Sequence, residues 1–177
     1  MKIIDKEFEP FIGQDQITVK VKELANLINQ DYAGRKPVFL VILNGAFMFA
    51  ADLMKEIELS SEISFIKLAS YEAMASTGQV QELIGLNQAL SGQDVIIVED
   101  IIDTGETMAY LLKKLDTLNP KSVEVVTLLL KPEVLQKDID LRYIGFEIPA
   151  KFVVGYGLDY DGFGRNLKDI HQLKEDH

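Results

Sequence analysis

The sequence predicts an α/β fold, a mostly parallel β-sheet flanked by helices, with a small hood formed by the N- and C-terminal segments. Three observations predict it. Short β-branched runs alternate along the chain with stretches of helical periodicity. Several of those runs, VFLVIL at 38–43 and DVIIVED at 94–100 among them, lack in-out alternation, the pattern of strands covered on both faces. The second run also ends in adjacent carboxylates, and the carboxyl end of a parallel strand is where ligands bind in open α/β sheets.

Each element follows in order. Over residues 18–32, Val21, Leu24, Leu27 and Ile28 recur at helical spacing, and Gly34 with Pro37 closes this first helix. Residues 37–43 form a covered strand. Asn44 and Gly45 turn it into a helix over 46–58 so apolar that part of its surface is a candidate subunit contact. Residues 63–70 and 80–86 read as strands separated by a small, polar, poorly periodic loop at 71–79. After the strand at 94–100, Met108, Leu111, Leu112, Leu115 and Leu118 make residues 106–118 an amphipathic helix. Strands follow at 122–131 and 142–149, and 152–160 is a last extended run ending in acidic and glycine residues. Without repeats or linkers, one domain over residues 1–177 is the simplest organisation.

Composition narrows the function classes. At 47% hydrophobic and 26% charged residues the chain is that of a folded globular protein. The absence of cysteine removes disulfides, thiolate metal sites and a cysteine nucleophile, which fits a reducing cytoplasmic setting. The N-terminus lacks the apolar core of a secretory signal, and the apolar runs fall short of the roughly 20 residues that cross a bilayer, so neither export nor a membrane partner is expected. A net charge of −10 opposes nucleic-acid binding, which rests on surplus lysine and arginine. It leaves small phosphorylated ligands open, since backbone N–H groups and divalent cations can hold them.

The most informative segment is VIIVEDIIDTGET at 95–107. A covered strand delivers Glu99 and Asp100, two aliphatics follow, and Asp103, Thr104, Gly105, Glu106 and Thr107 open a helix. The first-turn N–H groups are orphan donors with a favourable dipole, Gly105 permits close approach, and two threonine hydroxyls add donors. That set suits a ribose phosphate without lysine. Glu99 and Asp100 suit the sugar hydroxyls, directly or through magnesium. An isolated acidic pair would simply end a strand in water; the whole pattern is far more specific.

This segment resembles the signature of the phosphoribosyltransferases, and the resemblance runs from about residue 37 to 167 through LNG at 43–45, FAADL at 49–53, Ser70 with Tyr71, STG at 76–78, LLLK at 128–131 and GFEIPAKFVVGYGLDY at 145–160. The last block is similar to the hypoxanthine-guanine members. The resemblance implies the type I fold with its hood, magnesium as cofactor, and transfer of phosphoribose from phosphoribosyl pyrophosphate to hypoxanthine or guanine, giving IMP or GMP and pyrophosphate. It further implies Asp103 as acid/base at purine N7, Lys131 as donor to the 6-oxo group, Phe152 stacking on the base, and Val153, Leu158 and Asp159 completing the purine pocket. It implies Asn44, Gly45 and Arg165 on the pyrophosphate, Glu99, Asp100 and Asp159 as magnesium contacts, Ser70 and Tyr71 on a closing loop, and a homodimer or homotetramer.

Two positions depart from the family pattern. Many relatives carry lysine or arginine where this chain has Asn44, so the loop backbone, with a non-proline cis bond between Leu43 and Asn44, is expected to carry more of the binding. Glu106 replaces a lysine found in some relatives and is expected to point away from the phosphate. His171 and His177 sit in a polar tail that predicts exposure to solvent. Two other readings use the same fold: a regulator that senses nucleotides while binding RNA or protein, and an enzyme acting on a different base. The acidic balance disfavours the RNA version of the first, the set Asp103, Lys131, Asp159 and Arg165 disfavours lost catalysis, and the block at 131–160 disfavours the second.

Overall fold

The computed structural model describes residues 1–70, 80–84 and 89–174. In chain order the elements are β1 (Lys2–Ile3), β2 (Lys6–Ile12), α1 (Gln14–Asp31), β3 (Val38–Leu43), α2 (Phe47–Glu56), β4 (Glu62–Ser70) and β5 (Val80–Ile84). β6 (Asp94–Ile102), α3 (Glu106–Asp116), β7 (Ser122–Leu130), β8 (Tyr143–Glu147), β9 (Val153–Val154) and β10 (Ile170–Leu173) complete them.

The main sheet runs β5-β4-β3-β6-β7-β8. Its strands from β4 to β8 are mutually parallel, and β5 joins antiparallel at the edge. Alternate residues of β3 and β6 divide between two cores. Phe39, Val41, Ile96 and Val98 pack with α1 and α2 through Val21, Leu24, Ile28, Phe49 and Leu53. Val38, Leu40, Ile42, Val95 and Ile97 pack with α3 through Met108, Leu111 and Leu115. Each such side chain contributes about 1.5–3 kcal/mol when fully buried, so neither face of the sheet can be left to water. This is why the strands read as uninterrupted apolar runs.

The hood is a four-stranded sheet in the order β1-β2-β10-β9. The two chain termini meet in it, with Phe8 opposite Leu173 and Ile12 opposite Ile170. Periodicity hides these strands because each is short and half polar. His171, expected in solvent, is only 7% exposed inside β10, while His177 lies outside the described residues, as does the segment 71–79.

Boundaries shift for physical reasons. α1 begins four residues before the expected start, because Asp169 Oδ1 accepts from Gln14 N–H at 2.6 Å and the Gln16 side chain accepts from Gly13 N–H at 3.0 Å. These contacts satisfy first-turn donors that the local sequence leaves open. Leu27 faces water at 49% exposure. The expected extended run at 152–160 keeps only Val153–Val154 as strand, since Gly155, Tyr156 and Gly157 all adopt positive φ and fold the chain back.

Candidate active site

The carboxyl ends of β3, β4, β6 and β7 bring Asn44, Lys67, Asp100, Asp103 and Lys131 to one rim, where Phe152, Val153, Leu158, Asp159 and Arg165 close a cavity of about 590 Å³. The run from Glu99 to Met108 lines a second cavity of about 180 Å³, which shares Asp100, Ile101 and Asp103 with the first. The expected ribose-phosphate loop and the expected purine pocket are therefore adjacent chambers. Ser70 ends β4, and Tyr71 lies outside the described residues.

β6 and β7 pair up to Ile102 and Leu130, and the Lys131 N–H continues the ladder to Ile102 O at 3.0 Å. The next side chains, Asp103 and Lys131, therefore emerge side by side and form an ion pair of 2.8 Å. The lysine side chain is 10% exposed and the carboxylate 51% exposed. Lys131 thus does not snorkel to water. It holds its charge in the wall of the cavity against the one carboxylate placed to receive it.

Beyond Asp103 the backbone turns through Gly105 at φ +86°, a left-handed conformation that favours glycine. A Cβ there would also lie 2.9 Å from Ile139 and 3.0 Å from Leu135, which fold over the loop. Gln136 N–H donates to Thr104 O at 3.0 Å and holds this cover in place. At the start of α3, the Glu106 N–H reaches only the Thr104 hydroxyl, at 3.5 Å, so the first-turn donors keep their capacity for an anion. Glu106 turns its carboxylate to Lys137 at 2.9 Å, a partner that spacing did not reveal.

Glu99 and Asp100 sit beneath these groups. Burial pushes the Glu99 carboxyl well above the usual range, and the neighbouring Asp100 charge pushes the same way. Burial also raises Asp100, against hydrogen bonds that include the Ile101 N–H at 2.9 Å. Two adjacent carboxylates, Glu99 buried and Asp100 at the cavity floor, favour a cation over coexistence as bare charges. Gly45 packs directly on the pair: a Cβ there would fall 1.7 Å from Asp100 Oδ2. Gly157 approaches from the other side, its Cβ position 2.1 Å from Gly45 O. The Asn44–Gly45 turn, with a cis Leu43–Asn44 bond, is thus wedged between β6 and the 155–158 turn.

Arg165 donates from one nitrogen to Gly157 O and ion-pairs Asp159 through another, each at 2.7 Å. Asp159 Oδ2 also accepts from Gly162 N–H at 2.7 Å. Phe152 is 43% exposed at the cavity wall. Its ring stands edge-on to Tyr160 at 5.9 Å and tilted to Phe8 at 6.3 Å. Tyr160 in turn donates to Asp5 at 2.8 Å, so the hood orients the aromatic wall. Sequence reasoning passed over Lys67, whose signal, a lone lysine near a strand's carboxyl end, is the one that marked Lys131.

Residues 13–161 match the phosphoribosyl transferase domain family. The hypoxanthine-guanine phosphoribosyltransferase of Streptococcus thermophilus is 38% identical over 98% of this chain and 98% of its own length. The bifunctional protein TilS/HprT of Listeria monocytogenes is 40% identical over 92% of this chain, which spans 25% of that longer protein. Among solved structures, a hypoxanthine-guanine phosphoribosyltransferase from Bacillus anthracis superposes with a TM-score of 0.89 at 39% identity, over 96% of this chain and 99% of that one. With two chambers sharing the β6 carboxyl end and relatives matched along nearly the whole chain, the protein belongs to the phosphoribosyl transferase family, among its hypoxanthine-guanine members.

Proposed function

We propose that the protein transfers the 5-phosphoribosyl group of phosphoribosyl pyrophosphate to hypoxanthine or guanine, releasing IMP or GMP and pyrophosphate. The observation that carries this reading is the Asp103–Lys131 pair, facing Phe152 across one cavity and adjoining the Thr104–Thr107 anion site. The 5′-phosphate takes the first-turn N–H groups of α3 and the hydroxyls of Thr104 and Thr107. The purine lies on the exposed face of Phe152, between Val153 and Leu158. Lys131 donates to its 6-oxo oxygen, and adenine, which offers a donor there instead, is refused because the buried ammonium would be left unmatched.

In the transfer, purine nitrogen bonds to the anomeric carbon as the bond to pyrophosphate oxygen breaks and its electron pair leaves with pyrophosphate. Positive charge builds on the ribose, as in other glycosyl transfers. Asp103 manages the ring proton at N7 and Arg165 holds phosphate oxygens with its planar guanidinium. The Asn44–Gly45 backbone lines the leaving-group side.

Magnesium fits the carboxylates present. Glu99 is buried beside Asp100, and Asp100 and Asp159 line the larger cavity. Magnesium is an ion that takes one or two carboxylates plus substrate phosphates. When bound, it supplies Lewis-acid neutralisation of the leaving group. The protein acts in the cytoplasm as one domain over residues 1–177. It pairs as a homodimer or homotetramer through the apolar surface of α2 and β4, where Phe47, Ile63 and Phe65 are 44%, 43% and 43% exposed.

The test is turnover with phosphoribosyl pyrophosphate, magnesium and each of hypoxanthine, guanine, xanthine and adenine, beside the variant Asp103→Asn. Nucleotide and pyrophosphate form from 6-oxopurines and not from adenine, and the variant is slowed by about 10²-fold or more. Ligand binding without turnover of any base would favour a nucleotide-sensing regulator.

A further inference from the structure

The cavity holds three cationic side chains and two of them are already engaged. Lys131 pairs with Asp103, and Arg165 pairs with Asp159 while donating to Gly157 O. Lys67 is half-buried at the rim and makes no ion pair or side-chain hydrogen bond among the described residues. The same cavity carries the carboxylates of Asp100, Asp103 and Asp159. Of the three cationic side chains, Lys67 alone offers a polyphosphate a charge that no carboxylate among the described residues already holds.

The backbone explains why Lys67 is placed to serve. β3 and β4 are parallel and in register, with Leu43 opposite Lys67, so Lys67 stands beside the last residue before the Asn44–Gly45 turn. Ile66 and Leu68 pack toward the α3 core, which turns Lys67 to the opposite side of the sheet by strand alternation. The ladder to β5 also slips between Lys67 and Leu68, so the edge is irregular at this residue. Asn44 brings no charge of its own to the turn.

We propose that Lys67 binds the pyrophosphate group, supplying from β4 the positive charge that the β3 turn lacks. The assignment rests on the phosphoribosyl-transfer reading. The ammonium donates to phosphate oxygens of phosphoribosyl pyrophosphate and of released pyrophosphate, and touches neither the purine nor the 5′-phosphate. It therefore acts on one substrate and one product only.

The experiment compares the full-length wild type with K67M, K67R and the double variant K67M N44K. In K67M the KM for phosphoribosyl pyrophosphate, and for inorganic pyrophosphate in the reverse reaction, rises about 10- to 100-fold, the loss of one charge-assisted hydrogen bond. The KM for hypoxanthine and the affinity for IMP, which carries no pyrophosphate, stay within about twofold. K67R retains most of the affinity, and N44K in the K67M background restores part of it. A folded K67M with unaltered KM for both polyphosphates overturns the proposal, as does an equal loss of IMP affinity, which marks a general structural role. A measurement on the wild type is independent of folding: magnesium pyrophosphate slows acetylation of Lys67, read by peptide mass mapping, and absence of protection overturns the assignment. If the wild type makes no nucleotide, the phosphoribosyl-transfer reading falls, while the protection result still decides whether Lys67 binds pyrophosphate.

Discussion

Replacing Gly45 by alanine tests how closely the β3 turn and the β6 carboxylates are fitted. The new Cβ would lie 1.7 Å from Asp100 Oδ2 and 2.6 Å from its Cγ, whereas ordinary Cβ contacts are 3.4–4 Å. Gly45 is not among the positive-φ glycines, so the cost is steric. The turn cannot retreat, because Gly157 packs against Gly45 O on its far side. The Asp100 carboxylate must therefore swing by more than about 1 Å, which breaks its hydrogen bond from Ile101 N–H at 2.9 Å. A charged hydrogen bond is worth about 1.5–3 kcal/mol. For a chain of this size each kcal/mol moves Tm by roughly 2–4 °C, so thermal unfolding of Gly45→Ala falls by about 3–12 °C. Activity falls further, because misplacing a substrate-positioning group by 1 Å costs about 10²-fold in kcat/KM. Gly34→Ala is the control: that glycine has φ +78° with nothing within 4 Å of a Cβ, so it tests backbone strain alone. It costs about 1 kcal/mol and leaves kcat/KM unaltered. A Gly45→Ala protein with wild-type Tm and kcat/KM within about threefold of wild type would refute the close-packing argument.

Other consequences are equally measurable. Lys131→Gln removes the buried partner of Asp103 and the proposed donor to the 6-oxo group, so the KM for hypoxanthine rises about 10- to 100-fold and discrimination against adenine narrows in competition assays. Glu99 has a raised folded-state pKa, so its contribution to stability is full below the ordinary carboxylate range and is lost as pH rises through the raised value. Ligand-free wild type therefore loses Tm as pH rises out of the ordinary carboxylate range, and Glu99→Gln flattens much of that slope; parallel Tm–pH curves would sink the account. Tyr156 OH donates to Asp52 of α2 at 2.7 Å, and neither side chain lines the site cavities, so Tyr156→Phe lowers stability by about 1 kcal/mol in urea unfolding while leaving the KM for both substrates in place. Chelation of divalent cations abolishes turnover, and added magnesium restores it.

The fold class was legible because its signals are local. Burial on both faces of β3 and β6 demands apolar residues at every position, and residues 38–43 and 95–98 are uniformly apolar. The residues from Glu99 to Thr107 were equally legible, because a strand end, two carboxylates, a glycine and a helix start are contiguous in the chain. Their companions from other strands entered through family resemblance, since Asp159 and Arg165 alone read as surface charges.

What tertiary structure decided is pairing across distance. α1 starts at Gln14 because Asp169 caps it from the far terminus, and His171 is buried because β10 closes the hood between β2 and β9. Lys137 balances Glu106, and Lys67 shares a cavity with Arg165, only because neighbouring segments stack as they do. Periodicity reports which face of an element is apolar, so the sequence by itself determined the strands, the helices and the candidate anion-binding turn. A polar side chain's partner depends on which element lies beside it, and that neighbour exists only once the chain has folded.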